Sequence, residues 1–241
     1  PPHHHSSAAS DVYKRQTWSH LTPELNTMAN LELWWIGLLL ARNAALILFL
    51  FGGLHLYLYV FKGQGEQHQF TTRPFATNNR KFLFKNQVAD NMARTLLSAV
   101  PIITGYEIIT YWAFANGFLG FFDFGSSQLL FWGWFLILLI LAPVIHAIHF
   151  YLGHRLLHTK LLYKKVHALH HHNVEIGPWS GLAMHPIEHI IYLSTLTVQW
   201  VLAAHPVNAL FQLQLAAFYP ALAHCGFEKL KIGEKLKIDG G

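Results

Sequence analysis

Apolar residues in this chain come in long unbroken runs, and the polar residues gather in the connections between them. Runs of about 20 apolar residues match the roughly 30 Å hydrocarbon core of a bilayer at the rise of an α-helix, so each is read as a membrane segment. The first extends from Leu31 to Phe61, with Arg42 either snorkelling to an interface or marking the start of a shorter span from Asn43 to Phe61. The second covers Thr95 to Phe114, with Pro101 and Gly105 as kink points. The third runs from Gln128 to His158 and is interrupted only by Pro143. At 1.5 Å per residue such a helix is about 46 Å long, so its last turns must leave the lipid, and they carry His154 and His158. A final hairpin is expected from Ile190 to Ala204 and from Val207 to Ala223, turning at His205-Pro206. The pattern predicts an all-α fold, a polytopic bundle of about four to five membrane segments.

Composition agrees, since 53% of residues are hydrophobic and 12% charged, about half the charged share of soluble domains. The net charge of +5 lies in short connections, without a basic stripe interleaved with aromatics, which argues for membrane topology and against a nucleic-acid partner. Lys62, Arg73, Arg80, Lys81, Lys85 and Arg94 fall in one connection, whereas Gly117 to Gln128 carries only Asp123. The positive-inside rule makes the first cytoplasmic, and threading from it puts His154 to His189, His224 and the end bearing Lys229, Lys231, Lys235 and Lys237 on that face, with His205 opposite. The sole cysteine, Cys225, permits no internal disulfide and no thiolate-rich metal site. Residues 1–16 do not resemble the rest and are expected to be a non-native leader, with His3, His4 and His5 a tag fragment; Met28 is a plausible native start. Residues 17–128 then hold the N-terminal spans and the cytoplasmic connection.

Ten of the eighteen histidines lie between His146 and His189, five of them spaced as HRLLH (His154, His158) and HALHH (His167, His170, His171). Imidazole is the commonest metal ligand, and residues three or four apart share a helix side. On a helix His167 and His170 share a face while His171 points about 100° away, which suits two metals better than one. Five close histidines, with His185, His189 and His224 available, exceed what a single zinc requires. A dinuclear centre is the economical explanation, with iron favoured for an open site near lipid, although zinc and copper also accept imidazole.

HRLLH, LLYKKVHALHH, HNVEIGPWSGLAMHPIEH and HCGFE together resemble the fatty acid hydroxylase and sterol desaturase superfamily of integral membrane di-iron oxygenases, over residues 129–241. The resemblance implies two iron ions held by His154, His158, His167, His170, His171 and His224, and O2-dependent hydroxylation or desaturation of a sterol or fatty-acyl lipid. No haem, Rossmann or flavin fingerprint is present, so an external electron donor, cytochrome b5-like or ferredoxin-like, is expected at the Lys-rich surface. The implied location is the endoplasmic reticulum membrane in a eukaryote or the inner membrane in a bacterium, with the metal site facing the cytoplasm. Superfamily members carry a further HxxHH cluster downstream of His224, so the chain is expected to be truncated at its C-terminus, and in that form inactive.

The remaining histidines divide between roles. His185 and His189, on either side of Glu188, are candidate additional ligands or groups that orient ligands, and His146 is a further candidate of that kind. His146, His149 and His172 read first as satisfied structural histidines, and His20, His55 and His68 lie away from the cluster. Trp179, Ser180 and Gly181 read as packing near the site, and Glu107 as either functional or paired with a neighbouring helix. The alternatives are a histidine-rich membrane metal transporter and an inactive relative. A zinc hydrolase is disfavoured because HRLLH lacks the carboxylate of HExxH.

Overall fold

The computed structural model describes residues 23–120, 122, 124–203, 205–232 and 236–239; the leader 1–16, His20, Asp123, Ala204 and Lys235 lie outside them. Among the described residues three helices are long and apolar enough to cross a membrane: α1 (Leu33–Val60), α2 (Gln87–Ala115) and α3 (Gln128–Leu157). Two caps fix where α2 and α3 start. The Asn86 side chain accepts from the Ala89 amide at 3.0 Å, and the Ser127 hydroxyl accepts from the Leu130 amide at 3.4 Å, each satisfying a donor the helix leaves open. The short α4 (Lys160–Lys165) follows α3, and two 3-10 turns, His167–His172 and Pro178–Leu182, come next.

The expected hairpin forms differently in its two arms. The first is broken into α5 (Pro186–Leu193), a 3-10 turn and α6 (Thr197–Leu202), whereas the second is the single helix α7 (Pro206–Ala223). Buried Thr195, Gln199 and Gln212 account for the difference from a plain apolar span. The Gln212 amide donates to Thr195 Oγ1 at 3.1 Å, a bond that joins the arms through polar groups.

The core gathers α1, α2, the Pro178–Leu182 turn, α5 and α7 around Phe51, Ile103, Leu182, Leu193 and Leu213. Helix α3 packs on α5 and α7 from outside this core and buries few of its thirty residues, with Leu129 83% and Ile140 73% exposed. An apolar face of that size is at home in lipid.

Arg42 neither snorkels nor ends a span. It pairs with Glu107 on α2, while the Asn43 amide donates to Glu107 Oε2 at 2.9 Å and to Thr104 Oγ1 at 3.1 Å. Glu107 is therefore a paired residue joining α1 to α2.

The C-terminal end departs from an all-helical reading. Strands β1 (Lys229–Ile232) and β2 (Leu236–Asp239) form one antiparallel hairpin, with Lys229 opposite Asp239. It is tied to the end of α1: Tyr57 Oη donates to the Lys231 carbonyl at 2.8 Å, and the Gln64 amide donates to that of Lys229 at 2.9 Å. Tyr59 Oη lies 2.9 Å from the Cys225 carbonyl and 3.1 Å from that of Ile176.

Candidate metal centre

The lipid-free end of α3 presents His154 on its last turn, and His158 caps the helix. The connection through α4 then turns the chain back, so that the His167–His172 turn faces them. His154, His158, His167 and His171 each offer a ring nitrogen within 4.8 Å of the others. The Nε2 atoms of His154 and His158 are 3.0 Å apart, and so are those of His167 and His171. Four imidazoles whose nitrogens converge in this way form a donor set that fits a transition-metal ion.

The pairing within HALHH differs from the helical expectation. Because the segment winds as a 3-10 turn, residues three apart nearly eclipse, and the rings of His167 and His170 stack at 5.7 Å and 17°. His171 joins His167 in the four-histidine nest, while His170 lies against His224 with ring centroids 5.4 Å apart. His224 caps the end of α7. Both Nδ1 atoms of this second pair are buried without a hydrogen-bond partner. A buried ring nitrogen left open costs free energy in a closed protein interior, and a metal ion would satisfy it. The six histidines thus divide into a nest of four and a neighbouring pair.

Glu188 stands behind the nest. Its Oε1 lies 2.7 Å from His167 Nδ1, both groups being buried. With the proton on Nδ1 held by the carboxylate, the Nε2 lone pair is directed at the nest, an arrangement that fixes the tautomer and raises basicity. Burial pushes the Glu188 carboxyl above its ordinary range, and the hydrogen bond from His167 opposes that rise. Burial, with the neighbouring His224 and His167, brings the His170 imidazole down to about 3. His171 is also lowered, by burial first and then by His167 and His158. Neutral imidazole is the form that binds a metal, so these shifts keep donors ready at neutral pH.

The other candidates lie outside the nest. His185 caps α5, its Nδ1 accepting from the Ile187 amide at 3.2 Å. His189 has both ring nitrogens engaged, Nε2 3.0 Å from the Leu182 carbonyl and Nδ1 2.9 Å from Ser98 Oγ. His146 lies two turns back along α3, 3.3 Å from Tyr192 Oη through Nε2. Sequence reasoning did not anticipate Gln87, whose amide donates to Asn173 Oδ1 at 3.1 Å and to the Glu175 carbonyl at 2.6 Å. It holds the strand of chain just after His172. No local pattern marks it, since its partners lie more than eighty residues away.

A cavity of about 620 Å³ opens from the histidines along α3 and α7. His154, His167, His170, His171 and His224 line one end, and Pro143, Phe150, Leu215 and Tyr219 line the rest. Its size lies within the roughly 300–1,000 Å³ of small-molecule sites, and apart from Asn173 and Glu188 its walls beyond the histidines are mostly apolar and aromatic.

Residues 135–238 match the family model described as Fatty acid hydroxylase. The chain is 36% identical over 97 residues to human Fatty acid hydroxylase domain-containing protein 2, covering 39% of this chain and 29% of that protein. It is 30% identical over 179 residues to Delta(7)-sterol 5(6)-desaturase erg3C of Aspergillus fumigatus, covering 73% and 49%. To Methylsterol monooxygenase 2-1 of Arabidopsis thaliana it is 34% identical over 86 residues, covering 35% and 31%. The chain spans half or less of the length of these relatives. No solved structure matches it. The matched segment, residues 135–238, contains all six histidines of the nest and pair, and it is this segment that belongs to the fatty acid hydroxylase and sterol desaturase superfamily.

Proposed function

We propose that the protein is an O2-dependent lipid oxidoreductase that hydroxylates or desaturates a sterol or fatty-acyl chain at a pair of iron ions. The observation that carries this reading is the opening of a convergent histidine nest onto a mostly apolar cavity. His154, His158, His167 and His171 would hold one ion, and His170 and His224 would contribute to a second. Two bound irons supply the redox chemistry needed to activate O2 toward an unactivated C–H bond. Glu188 holds the His167 proton and with it the ring's orientation. The cavity walls exclude water and align a lipid with the nest, which limits side reactions of reactive oxygen species.

The relatives support lipid as the substrate class, since they are named for sterol desaturation and methylsterol oxidation. Electrons would come from a separate carrier, cytochrome b5-like or ferredoxin-like. Arg155, Lys160, Lys164 and Lys165 are exposed beside the nest and would attract an acidic donor surface. The charge pattern supports a cytoplasmic orientation of the site, in the endoplasmic reticulum membrane of a eukaryote or the inner membrane of a bacterium.

The test is O2 consumption and product analysis with purified full-length protein, iron, a reducing system and a panel of sterols and acyl lipids. Oxygenated or desaturated product is expected from the wild type, with a loss of at least a hundredfold in His154→Ala. No O2 uptake with any lipid would overturn the reading, and uptake of metal into vesicles with no product would replace it with transport.

A further inference from the structure

A second cavity, of about 340 Å³, lies at the end of α1 and shares no lining residue with the one that opens from the histidines. Lys62 and Arg73 bring cations to its wall, Glu66 brings a carboxylate, and His55, Tyr59 and Phe75 bring rings. The rings lie against one another, with centroids 4.8 Å apart for Tyr59 and Phe75, 5.5 Å for His55 and Tyr59, and 5.9 Å for His55 and Phe75. They make one aromatic face. Lys62 and Glu66 line the same space without pairing, and among the described residues neither side chain has a hydrogen-bond or ion-pair partner. Opposite charges held open in one cavity suit a ligand that carries both signs. The loop that supplies them is fastened from behind: the Phe70 amide donates to the Gly226 carbonyl at 3.0 Å, and the Glu228 amide donates to that of His68 at 2.7 Å. Arg73 is steadied by Glu175 at 3.6 Å. The cavity is thus shaped before a ligand arrives, which lowers the cost of binding.

Depth in the membrane selects the ligand. Helix α1 has 28 residues and is about 42 Å long, more than the roughly 30 Å of the hydrocarbon core. At its end Val60 and Phe61 are 56% and 73% exposed, and Lys62 follows. Apolar, then aromatic, then basic is the order of a helix passing through the headgroup layer. We propose that this cavity holds the headgroup of a zwitterionic phospholipid, with the phosphate at Lys62 and Arg73 and the quaternary ammonium of a choline group at Glu66 and the aromatic face. Cations give phosphate charge-assisted hydrogen bonds, and ring faces attract a quaternary ammonium that cannot hydrogen-bond. The acyl chains leave past Val60 and Phe61 into the bilayer. One wall of the cavity, Tyr59, also holds the Cys225 carbonyl beside His224, so the bound lipid backs the clasp of the metal centre. Its binding requires neither metal nor O2, and the inference goes beyond the oxygenase reading without depending on it.

Full-length protein stripped of lipid in detergent is titrated, with native mass spectrometry as the readout, against lipids of identical chains bearing choline or glycerol headgroups. The choline lipid is expected to bind about fivefold more tightly, in line with one cation on an aromatic face. Glu66→Lys is expected to reverse that order, and Lys62→Gln to weaken both lipids alike by about threefold. Both side chains are exposed, so neither change threatens the fold. Equal binding of the two lipids, or an order that Glu66→Lys leaves unchanged, overturns the inference. Glycerophosphocholine, the same headgroup without chains, is expected to bind at least about tenfold more weakly because it buries no apolar surface; affinity equal to the lipid's would overturn the assignment to a lipid. A choline lipid with a photoreactive headgroup gives a readout without a variant: crosslinks within residues 55–75 are expected, and crosslinks confined elsewhere refute the site. Absence of any oxidised product would sink the oxygenase reading and leave this site standing, and loss of headgroup preference would do the reverse.

Discussion

Glu188 acts on the histidine nest without being one of its converging donors. Its carboxylate fixes the proton of His167 on the nitrogen facing away from the nest. Glu188→Gln keeps an acceptor but removes the charge, and is expected to weaken metal retention about tenfold, with Glu188→Ala nearer a hundredfold; competition against a chelator measures both. His170 gives a pH prediction. The unfolded chain binds the proton near the ordinary 6.5 and the folded chain only near 3, so the unfolded state holds more protons between those values. Metal-free protein should be at full stability above about pH 6.5 and should lose stability progressively as pH falls toward 3. Its thermal midpoint at pH 7.5 and at pH 5 tests this, and His170→Gln should make the drop smaller. The residue types and their spacing were visible in HRLLH and HALHH. Their grouping was not, because it depends on what faces the turn: His167 and His170 stack as residues three apart do, yet His171 sits with the nest and His170 lies against His224 at the end of α7, a partner that order along the chain does not reveal.

Secondary elements position these residues through close backbone approaches. The Pro178–Leu182 turn reaches α7 at Gly181, where an added Cβ would come within 2.3 Å of the Pro220 carbonyl oxygen. That carbonyl also accepts from the His224 amide at 3.0 Å. Gly181→Ala should therefore destabilise by about 1–3 kcal/mol, as overpacking does, and should displace His224, so that thermal midpoint and metal stoichiometry fall together. The α1–α2 pairing makes a second prediction. Glu107→Ala removes the carboxylate that pairs with Arg42 and is expected to cost about 3–5 kcal/mol, whereas the double change Arg42→Leu with Glu107→Leu should recover most of it; unfolding in mild detergent reads both. Long apolar runs made α1 and α3 legible within a few residues, whereas α2 begins at Gln87, eight residues before the expected Thr95, because its first two turns are polar and carry no apolar run. The broken first arm of the hairpin was less so, because Thr195 interrupts an otherwise apolar run with a hydroxyl whose partner, Gln212, lies on α7. The β-hairpin had a signal, the alternating Leu and Lys of KLKI and LKID, but this pattern is too short to outweigh a helical context.

At the scale of the molecule, the histidines stand where α3 leaves the apolar zone, and the cavity runs back from them into it. A lipid can thus reach the nest without its apolar part entering water, while the exposed basic residues of α4 remain accessible to a soluble carrier. The orientation in the membrane was argued from charge, and the convergence of His154, His167 and His224 from separate elements could not be read from order along the chain, because it depends on the reversal after His158. What holds the last of these histidines is remote. The backbone that follows His224 is fastened by Tyr57, Tyr59 and Gln64, at the end of a helix that lies wholly outside residues 135–238. The segment that families share is therefore not a portable cassette. A gene rearrangement that moved it onto foreign spans would carry every histidine along and leave behind the clasp that keeps His224 beside His170, so inheritance of the site requires inheritance of its first helix as well.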